Sequence, residues 1–350
     1  MCIAVDPSIG GLLIIGPKGT GKSSIVRAFA RLLPEIEVVV GCPFNDDPSK
    51  VNELCDRCRN ILEKEGRLPV IRTKMKVVEL PIGATEDMVL GTINIERTLK
   101  EGRVVFEPGI LARANRNILY IDEVNLLPDH IVDSILDAAA FGWNVVEREG
   151  ISLKHPAKFI LVGTMNPEEG ELRPQLLDRF SISVRINTLR DPELRKEIVK
   201  RNLEFERNPE EFCKAWQPQE EEIRESIIRA RAMLSDVKVP EHLLDLVVQV
   251  CSELEVDGYR PDIVAIKTAK ALAALKNRTV VDISDIKFGL SLALAHRTRA
   301  GGLKPPPSLS EIEEALFKGK TPAEKVVTEK KERRVDKRSY RLPPFITFFR

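Results

Sequence analysis

The run Gly16-Pro17-Lys18-Gly19-Thr20-Gly21-Lys22-Ser23 constrains this chain more than any other feature. It fits G-x-x-x-x-G-K-[ST]. It lies between the apolar stretch Gly11-Leu12-Leu13-Ile14-Ile15, which reads as a strand buried on both faces, and Ser23 to Leu33, which has helical character. By average residue frequencies the pattern alone arises by accident in about 1% of chains of this length. The strand and helix context makes accident rarer still. Such a loop turns backbone N–H groups inward around phosphates at a helix N-terminus, with Lys22 reaching the β- and γ-phosphates and Ser23 holding Mg²⁺. Gly16 to Ser23 are therefore the expected nucleotide-binding residues, with ATP and Mg²⁺ as cofactors.

Further apolar runs at Ile36 to Val40, Ile118 to Ile121, Phe159 to Val162 and Ile182 to Ile186 read as buried strands. Helical stretches such as Asp129 to Ala140 separate them, and this alternation predicts an α/β fold with a parallel sheet covered by helices. Gly142 to Glu147 and Ile151 to Lys154 flank Arg148-Glu149-Gly150 and predict an inserted β-hairpin. From Asp191 onward apolar residues recur at helical spacing, as in Leu243, Leu244, Leu246, Val247 and Val250. The domain reading is a P-loop ATPase core over 1–189 and an all-helical domain over 190–300. A Pro-rich linker and charged tail follow over 301–350, where Gly301-Gly302 and Pro305 to Pro307 break regular structure, with a short helix from Ser310 to Phe317.

Two more strands deliver chemistry at their C-terminal ends, where α/β sheets bind ligands. Ile118 to Ile121 ends in Asp122-Glu123. Asp122 is expected to orient the Mg²⁺ shell and Glu123 to polarise the water that attacks the γ-phosphate. Phe159 to Val162 leads through Gly163-Thr164-Met165 to Asn166-Pro167. If that strand lies beside the first, Asn166 reaches the water or the γ-phosphate; the alternative is an Asn opening a turn before Pro.

The ordered set Gly16 to Ser23, Leu80 to Asp87, Phe106 to Gly109, Asp122 to Leu127, Met165 to Glu168 and Leu172 to Phe180 resembles the AAA+ motor subunit of magnesium chelatases, within the MoxR/chelatase-like AAA+ group. The likeness spans roughly positions 1 to 300. It implies an AAA+ core followed by a helical lid, and a homo-oligomeric, hexameric ring. It also implies an integrin-like-domain AAA+ partner subunit and a large porphyrin-binding subunit. By resemblance, Asn166 is sensor 1, Arg179 is an arginine finger acting on the neighbouring subunit's ATP, and Arg260 in Tyr259-Arg260-Pro261 is sensor 2. For Arg179 the alternative is a surface arginine paired with Asp178 or Glu171. The family also carries a helix and loop ahead of the P-loop strand that help hold adenine, whereas ten residues precede Gly11 here. An upstream start or a reduced adenine side is therefore expected.

Composition excludes more than it assigns. The chain has 54 Lys+Arg against 53 Asp+Glu, a formal charge of +1, so no global field favours nucleic acid or an anionic membrane. This lowers the reading as a DNA-associated AAA+ motor. The first residues lack a signal peptide's basic flank, and a cytoplasmic protein is expected. Of six cysteines, Cys42, Cys55 and Cys58 cluster beside Asn45-Asp46-Asp47 and end in a Cys-x-x-Cys pair. A structural zinc site takes four ligands, and this segment offers three thiols and no His, so zinc binding and a redox response both stay open. The functional expectation is an ATP-driven motor for inserting Mg²⁺ into a tetrapyrrole. The alternative is a MoxR-like remodelling ATPase acting with an integrin-like partner.

Overall fold

A computed structural model describes residues 1–102, 105–148, 151–170 and 172–318. The charged tail from residue 319, and Glu171, lie outside them. The chain divides into two compact units, residues 10–180 and residues 1–9 with 181 onward.

The first unit runs β1 (Leu12–Ile15), α1 (Lys22–Leu32), β2 (Ile36–Val39), α2 (Asp56–Glu65), β3 (Val70–Thr73), β4 (Val77–Leu80), α3 (Ile110–Ala114), β5 (Ile118–Ile121), α4 (Asp129–Phe141), β6 (Trp143–Arg148), β7 (Ile151–Pro156), β8 (Ile160–Met165) and α5 (Pro174–Arg179). Its parallel sheet has the order β1-β8-β5-β4, and β9 (Ile182–Arg185) belongs to the second unit. The pairs β1–β8, β8–β5 and β5–β4 are all parallel. Both faces of the central strands are covered, which is why they read as unbroken apolar runs. All four residues of β5 are at most 1% exposed, each contributing roughly 1.5–3 kcal/mol by burial. Phe180 is fully buried, its ring set against Gly11 and Gly163. A Cβ on Gly163 would meet that ring at 3.1 Å, so the small residue in β8 makes room for the aromatic that anchors the end of α5.

One strand expectation is corrected. Ile36–Val39 does not join the parallel sheet; it pairs antiparallel with Val70–Thr73 in a separate two-stranded ribbon. Glu37 and Arg72 face each other across it, exposed and ion-paired at 3.0 Å, so one face of the ribbon meets water. The edge strand of the main sheet is β4, Val77–Leu80, whose exposed Glu79 pairs with Arg27 of α1 at 2.9 Å. Val77–Leu80 has the same make-up as Ile36–Val39, three apolar residues and one Glu, so composition does not tell which of the two joins the sheet. The expected hairpin is present as β6 and β7. A second short pair, Gly91–Ile93 with Phe106–Pro108, brings Gly91 and Gly109 so close that a Cβ on Gly109 would lie 2.4 Å from the Gly91 nitrogen. That approach explains the glycine after Phe106-Glu107-Pro108.

The hairpin carries a buried histidine. His155 is 1% exposed, and its Nδ1 lies 2.9 Å from the Pro156 carbonyl, which can only accept, so Nδ1 holds the proton. Asn144 Nδ2 then donates to Nε2 and to the Leu90 carbonyl, each at 2.9 Å. A second ring proton would meet the amide N–H head-on. Burial, the largest cause, holds the His155 pKa below its ordinary value. The unfolded chain, with an ordinary value of about 6.5, therefore takes the proton first as pH falls. The contribution of neutral His155 is full above that pH and is lost below it, by at most about 1.4 kcal/mol per pH unit. Urea midpoints measured between pH about 7.5 and 5.5 should fall less steeply for His155→Gln than for the parent; equal slopes would exclude His155 as the cause.

The second unit is helical: α6 (Pro192–Arg207), α7 (Pro209–Met233), α8 (Glu241–Glu253), α9 (Arg260–Leu275), α10 (Ile283–Leu294) and α11 (Leu309–Lys318). Asp282 and Asp285 form a reciprocal capping box at the start of α10. Asp285, fully buried, is matched by Lys276 at 2.9 Å and Arg278 at 2.6 Å. Ile312, Ala315 and Leu316 of α11 are buried. The first nine residues fold into this unit, where Arg231 Nε donates to the Ala4 carbonyl at 2.7 Å and Lys267 Nζ to that of Ser8 at 3.0 Å. No helix among the described residues is long and apolar enough to cross a membrane.

Candidate functional site

Register builds the site. Ile15 lies opposite Met165, and Gly163 opposite Ile121. The residues following these strands are therefore brought to one edge: Gly16 after β1, Asn166 after β8, Asp122 and Glu123 after β5. The strand ending in Asn166 does lie beside the first, as its expected reach required.

At the P-loop, Gly19 and Gly21 sit at φ 76° and 77°, in the left-handed region where a side chain is strained. Nothing lies within 4 Å of a Cβ built on either, so the demand for glycine comes from the backbone turn. Lys22 opens α1, nearly buried, and its Nζ donates to the carbonyls of Gly16 (2.7 Å) and Pro17 (2.8 Å). The ammonium is thereby folded back over the mouth of its own loop. Thr20 Oγ1 donates to the Pro17 carbonyl at 2.9 Å, bracing the same turn.

Asp122 is oriented by two residues that sequence reading passed over. Its Oδ1 accepts from Tyr120 Oη at 2.7 Å and from Thr164 Oγ1 at 2.6 Å, which leaves Oδ2 facing Ser23 Oγ at 3.4 Å. Burial pushes the Tyr120 phenol up to about 12, so it stays protonated as a donor. Octahedral Mg²⁺ takes oxygens at about 2.0–2.1 Å, which sets neighbouring ligands about 3 Å apart. Ser23 Oγ and Asp122 Oδ2 fit an Mg²⁺ shell, directly or through its waters.

Glu123 sits at φ 52°, ψ 56°, a left-handed conformation costly for a residue with a side chain. Its N–H donates to Thr164 Oγ1 at 3.2 Å, so one hydroxyl fixes both members of the acidic pair. Lys18 bridges Glu169 and, at 3.8 Å, Glu123. Glu169 holds the Lys18 pKa above its ordinary value and is itself held low by the ammonium. Glu169 is the third residue sequence reading missed. The signal for Tyr120 was its i−2 spacing from Asp122 on one face of a strand. Thr164 and Glu169 become visible only through the β5–β8 register and the turn after β8.

Asn166 is buried, and its Oδ1 accepts from the Glu168 N–H at 3.3 Å, so it also opens the turn over Pro167–Glu169. Arg179, at the end of α5, ion-pairs with Asp133 (2.7 Å) and Asp137 (3.1 Å) of α4. Arg173 pairs with Asp129 at 2.7 Å. The three aspartates recur every fourth residue and form one acidic stripe on α4. Arg260 is the first residue of α9, in the second unit. Cys42 and Cys55, between β2 and α2, gather with Cys58 in the first turn of α2, and Asp46 joins them.

Comparison with known proteins agrees with this arrangement. The AAA domain (dynein-related subfamily) matches residues 65–180 and the AAA lid domain residues 244–316. The chain is 56% identical over 303 residues to a magnesium-chelatase subunit ChlI homolog of Methanocaldococcus jannaschii, covering 87% of this chain and 82% of that protein. It is 51% identical over 312 residues to the magnesium-chelatase subunit ChlI of Synechocystis, covering 89% and 87%. A solved complex of subunits BchI and BchD of magnesium chelatase includes a chain 45% identical, with a TM-score of 0.50, over 89% of this chain and 93% of that one. A putative ATPase from Cytophaga hutchinsonii, 17% identical with a TM-score of 0.56 over 91% and 87%, shares the fold. The P-loop, the acidic pair at the end of β5, the helical lid and this extent of identity place the chain in the family of magnesium-chelatase ChlI subunits, AAA+ motors that hydrolyse ATP.

Proposed function

We propose that this chain, as an ATP-driven ring, powers insertion of Mg²⁺ into a protoporphyrin-type tetrapyrrole, together with an integrin-like-domain AAA+ partner and a large porphyrin-binding subunit. The observation that supports the hydrolytic half is the convergence of Gly16, Asn166 and Asp122-Glu123 at the ends of three adjacent parallel strands. Lys22 turns from the Gly16 and Pro17 carbonyls to the β- and γ-phosphates, and Ser23 with Asp122 holds the nucleotide's Mg²⁺. That ion, when bound, neutralises charge on the phosphate oxygens. Glu123, kept in place by Thr164 and beside the Lys18–Glu169 pair, polarises the attacking water, and Asn166 orients it. Arg179 completes a neighbouring subunit's site, and Arg260 acts from the lid. The tetrapyrrole half is supported by the ChlI relatives and by the BchI–BchD complex.

Reconstitution tests it. The chain mixed with the two partner subunits, ATP, Mg²⁺ and protoporphyrin should produce the fluorescence of the magnesium porphyrin, and Glu123→Gln should not. Vigorous ATP hydrolysis with no metal insertion beside partners proven active would favour the remodelling ATPase.

A further inference from the structure

The segment from the end of β2 through the first turn of α2 contains a set of donors that the nucleotide site does not use. The ligand atoms of Cys42, Asp46, Cys55 and Cys58 all lie within 4.8 Å of one another. Three thiols alone fell short of a structural metal site; the fold supplies the fourth donor as a carboxylate from the loop. We propose that these four residues form a closed tetrahedral zinc site that fixes this insert.

The geometry fits zinc. With Zn–S near 2.3 Å, two sulfurs of a tetrahedral site stand about 3.8 Å apart. Cys42 Sγ and Cys55 Sγ are 3.8 Å apart, whereas a disulfide would hold them at about 2.05 Å. All three thiols are free of disulfide bonds. Asp46 is 2% exposed, and its Oδ1 is buried with no hydrogen-bond partner, while Oδ2 accepts from the Cys55 N–H at 2.7 Å. One carboxylate oxygen is therefore held in place by the backbone, the other is buried without a partner, and the carboxylate comes within 4.8 Å of all three sulfurs. An unsatisfied buried carboxylate oxygen is costly, and a cation among these donors removes the cost.

The surroundings suit an anionic ligand set. Cys55 caps α2 and Cys58 lies in its first turn, where the helix N-terminus offsets negative charge on bound sulfur. The Phe44 N–H donates to Cys42 Sγ at 3.4 Å, the kind of outer bond that orients a metal-bound sulfur. Arg57 donates to the Gly41 carbonyl, and Arg116 lies 3.3 Å from Asp47 and 3.4 Å from the Asn45 and Asp46 carbonyls. Two guanidiniums thus stand near the loop that carries the anionic ligand set, one of them already matched by Asp47. Soft thiolates select zinc over Mg²⁺ or Ca²⁺, and four protein ligands leave no open position, so the site is structural.

The fold shows what such a site stabilises. Among the described residues, the apolar cluster that includes Cys58 has Val39 and Leu54 beside it at its buried centre. From this small base Phe44 stacks on His155 at 5.0 Å, and its carbonyl accepts from Asn115 Nδ2 at 2.6 Å. The metal holds the loop that makes these contacts.

The test uses the full chain, purified without a histidine tag under reducing conditions. Elemental analysis should find one zinc per chain. Cobalt titration of the stripped protein should saturate at one equivalent, with a thiolate-to-cobalt charge-transfer band and intense tetrahedral d–d bands. Asp46→Asn, nearly isosteric, should keep the charge-transfer band but shift the d–d bands and weaken binding at least tenfold, by analogy with the effect of lost outer-shell partners. Cys58→Ser should abolish stoichiometric binding, and Cys213→Ser, in the second unit, should change nothing. If Cys58→Ser misfolds, Asp46→Asn decides. A stripped protein that gives no charge-transfer band at saturating cobalt overturns the proposal. So does cobalt binding unchanged in affinity and spectrum by Asp46→Asn, and so does purified protein that carries a Cys42–Cys55 disulfide and no zinc.

Discussion

Lys22→Ala should no longer bind ATP, while Glu123→Gln should bind ATP as the parent does and no longer hydrolyse it. The two residues stand at different stages of the same reaction. The Lys22 ammonium is held by the Gly16 and Pro17 carbonyls at the mouth of the loop, nearly buried, so an anion reaching that loop exchanges two neutral acceptors for phosphate oxygens. Hydrogen bonds to charged groups contribute about 1.5–3 kcal/mol each, and more than one is lost with the lysine. Glu123 contributes differently. Its backbone is fixed by Thr164 and its carboxylate lies beside Lys18, so Gln keeps the shape and the turn while removing the charge that draws a proton from water. Interactions made only in the transition state change the rate and leave ground-state binding alone. Fluorescent-nucleotide binding and single-turnover hydrolysis separate the two. A Glu123→Gln protein that hydrolyses ATP at the parent rate would remove Glu123 from the role of base.

The parts of this site that were legible in the sequence are those in which local chain geometry and chemistry coincide. The P-loop needs consecutive residues, Gly19 and Gly21 at positive φ followed by a helix start, and such a demand leaves its mark within eight positions. Asp122 and Asn166 were legible because each ends a strand whose both faces are buried. Long-range pairing was not legible. Thr164 holds both Asp122 and Glu123, yet its assignment depends on β8 lying beside β5. Ile36–Val39 has the composition of an inner strand, and only its partner, with Arg72 facing Glu37, shows it to be half-solvated. Asp46 was in view as part of a polar run, but which of three neighbouring polar residues turns inward is settled by the backbone reversal at Gly41 and Asn45, both at positive φ.

Arg179→Ala should bind ATP normally and lose hydrolysis by a large factor, on the order of 10³ if fingers of other P-loop enzymes are a guide. The structure gives the rival account its sharpest form. Arg179 is a half-buried arginine paired with Asp133 and Asp137 on α4, and it could serve only to fasten α5. Magnitudes separate the two. A thousandfold loss of rate is about 4 kcal/mol, whereas ion pairs of this exposure are each worth about 0–1 kcal/mol of stability. Phe180, fully buried next in sequence, holds the end of α5 in either case. If Arg179 is only a fastener, Asp133→Asn with Asp137→Asn should reproduce the loss of Arg179→Ala. If it is a finger, that double variant should keep hydrolysis, because the guanidinium is still present and is released from competing carboxylates. A role in trans demands more. Mixing Arg179→Ala with Lys22→Ala should restore part of the activity, since a mixed interface can pair an intact P-loop from one subunit with an intact arginine from the other. Activity should also rise more steeply than linearly with protein concentration, because the complete site exists only after assembly. A mixture that stays inactive while the two variants are shown to co-assemble, or an Arg179→Ala protein that hydrolyses at the parent rate when dilute and monomeric, would leave Arg179 as a brace between α4 and α5.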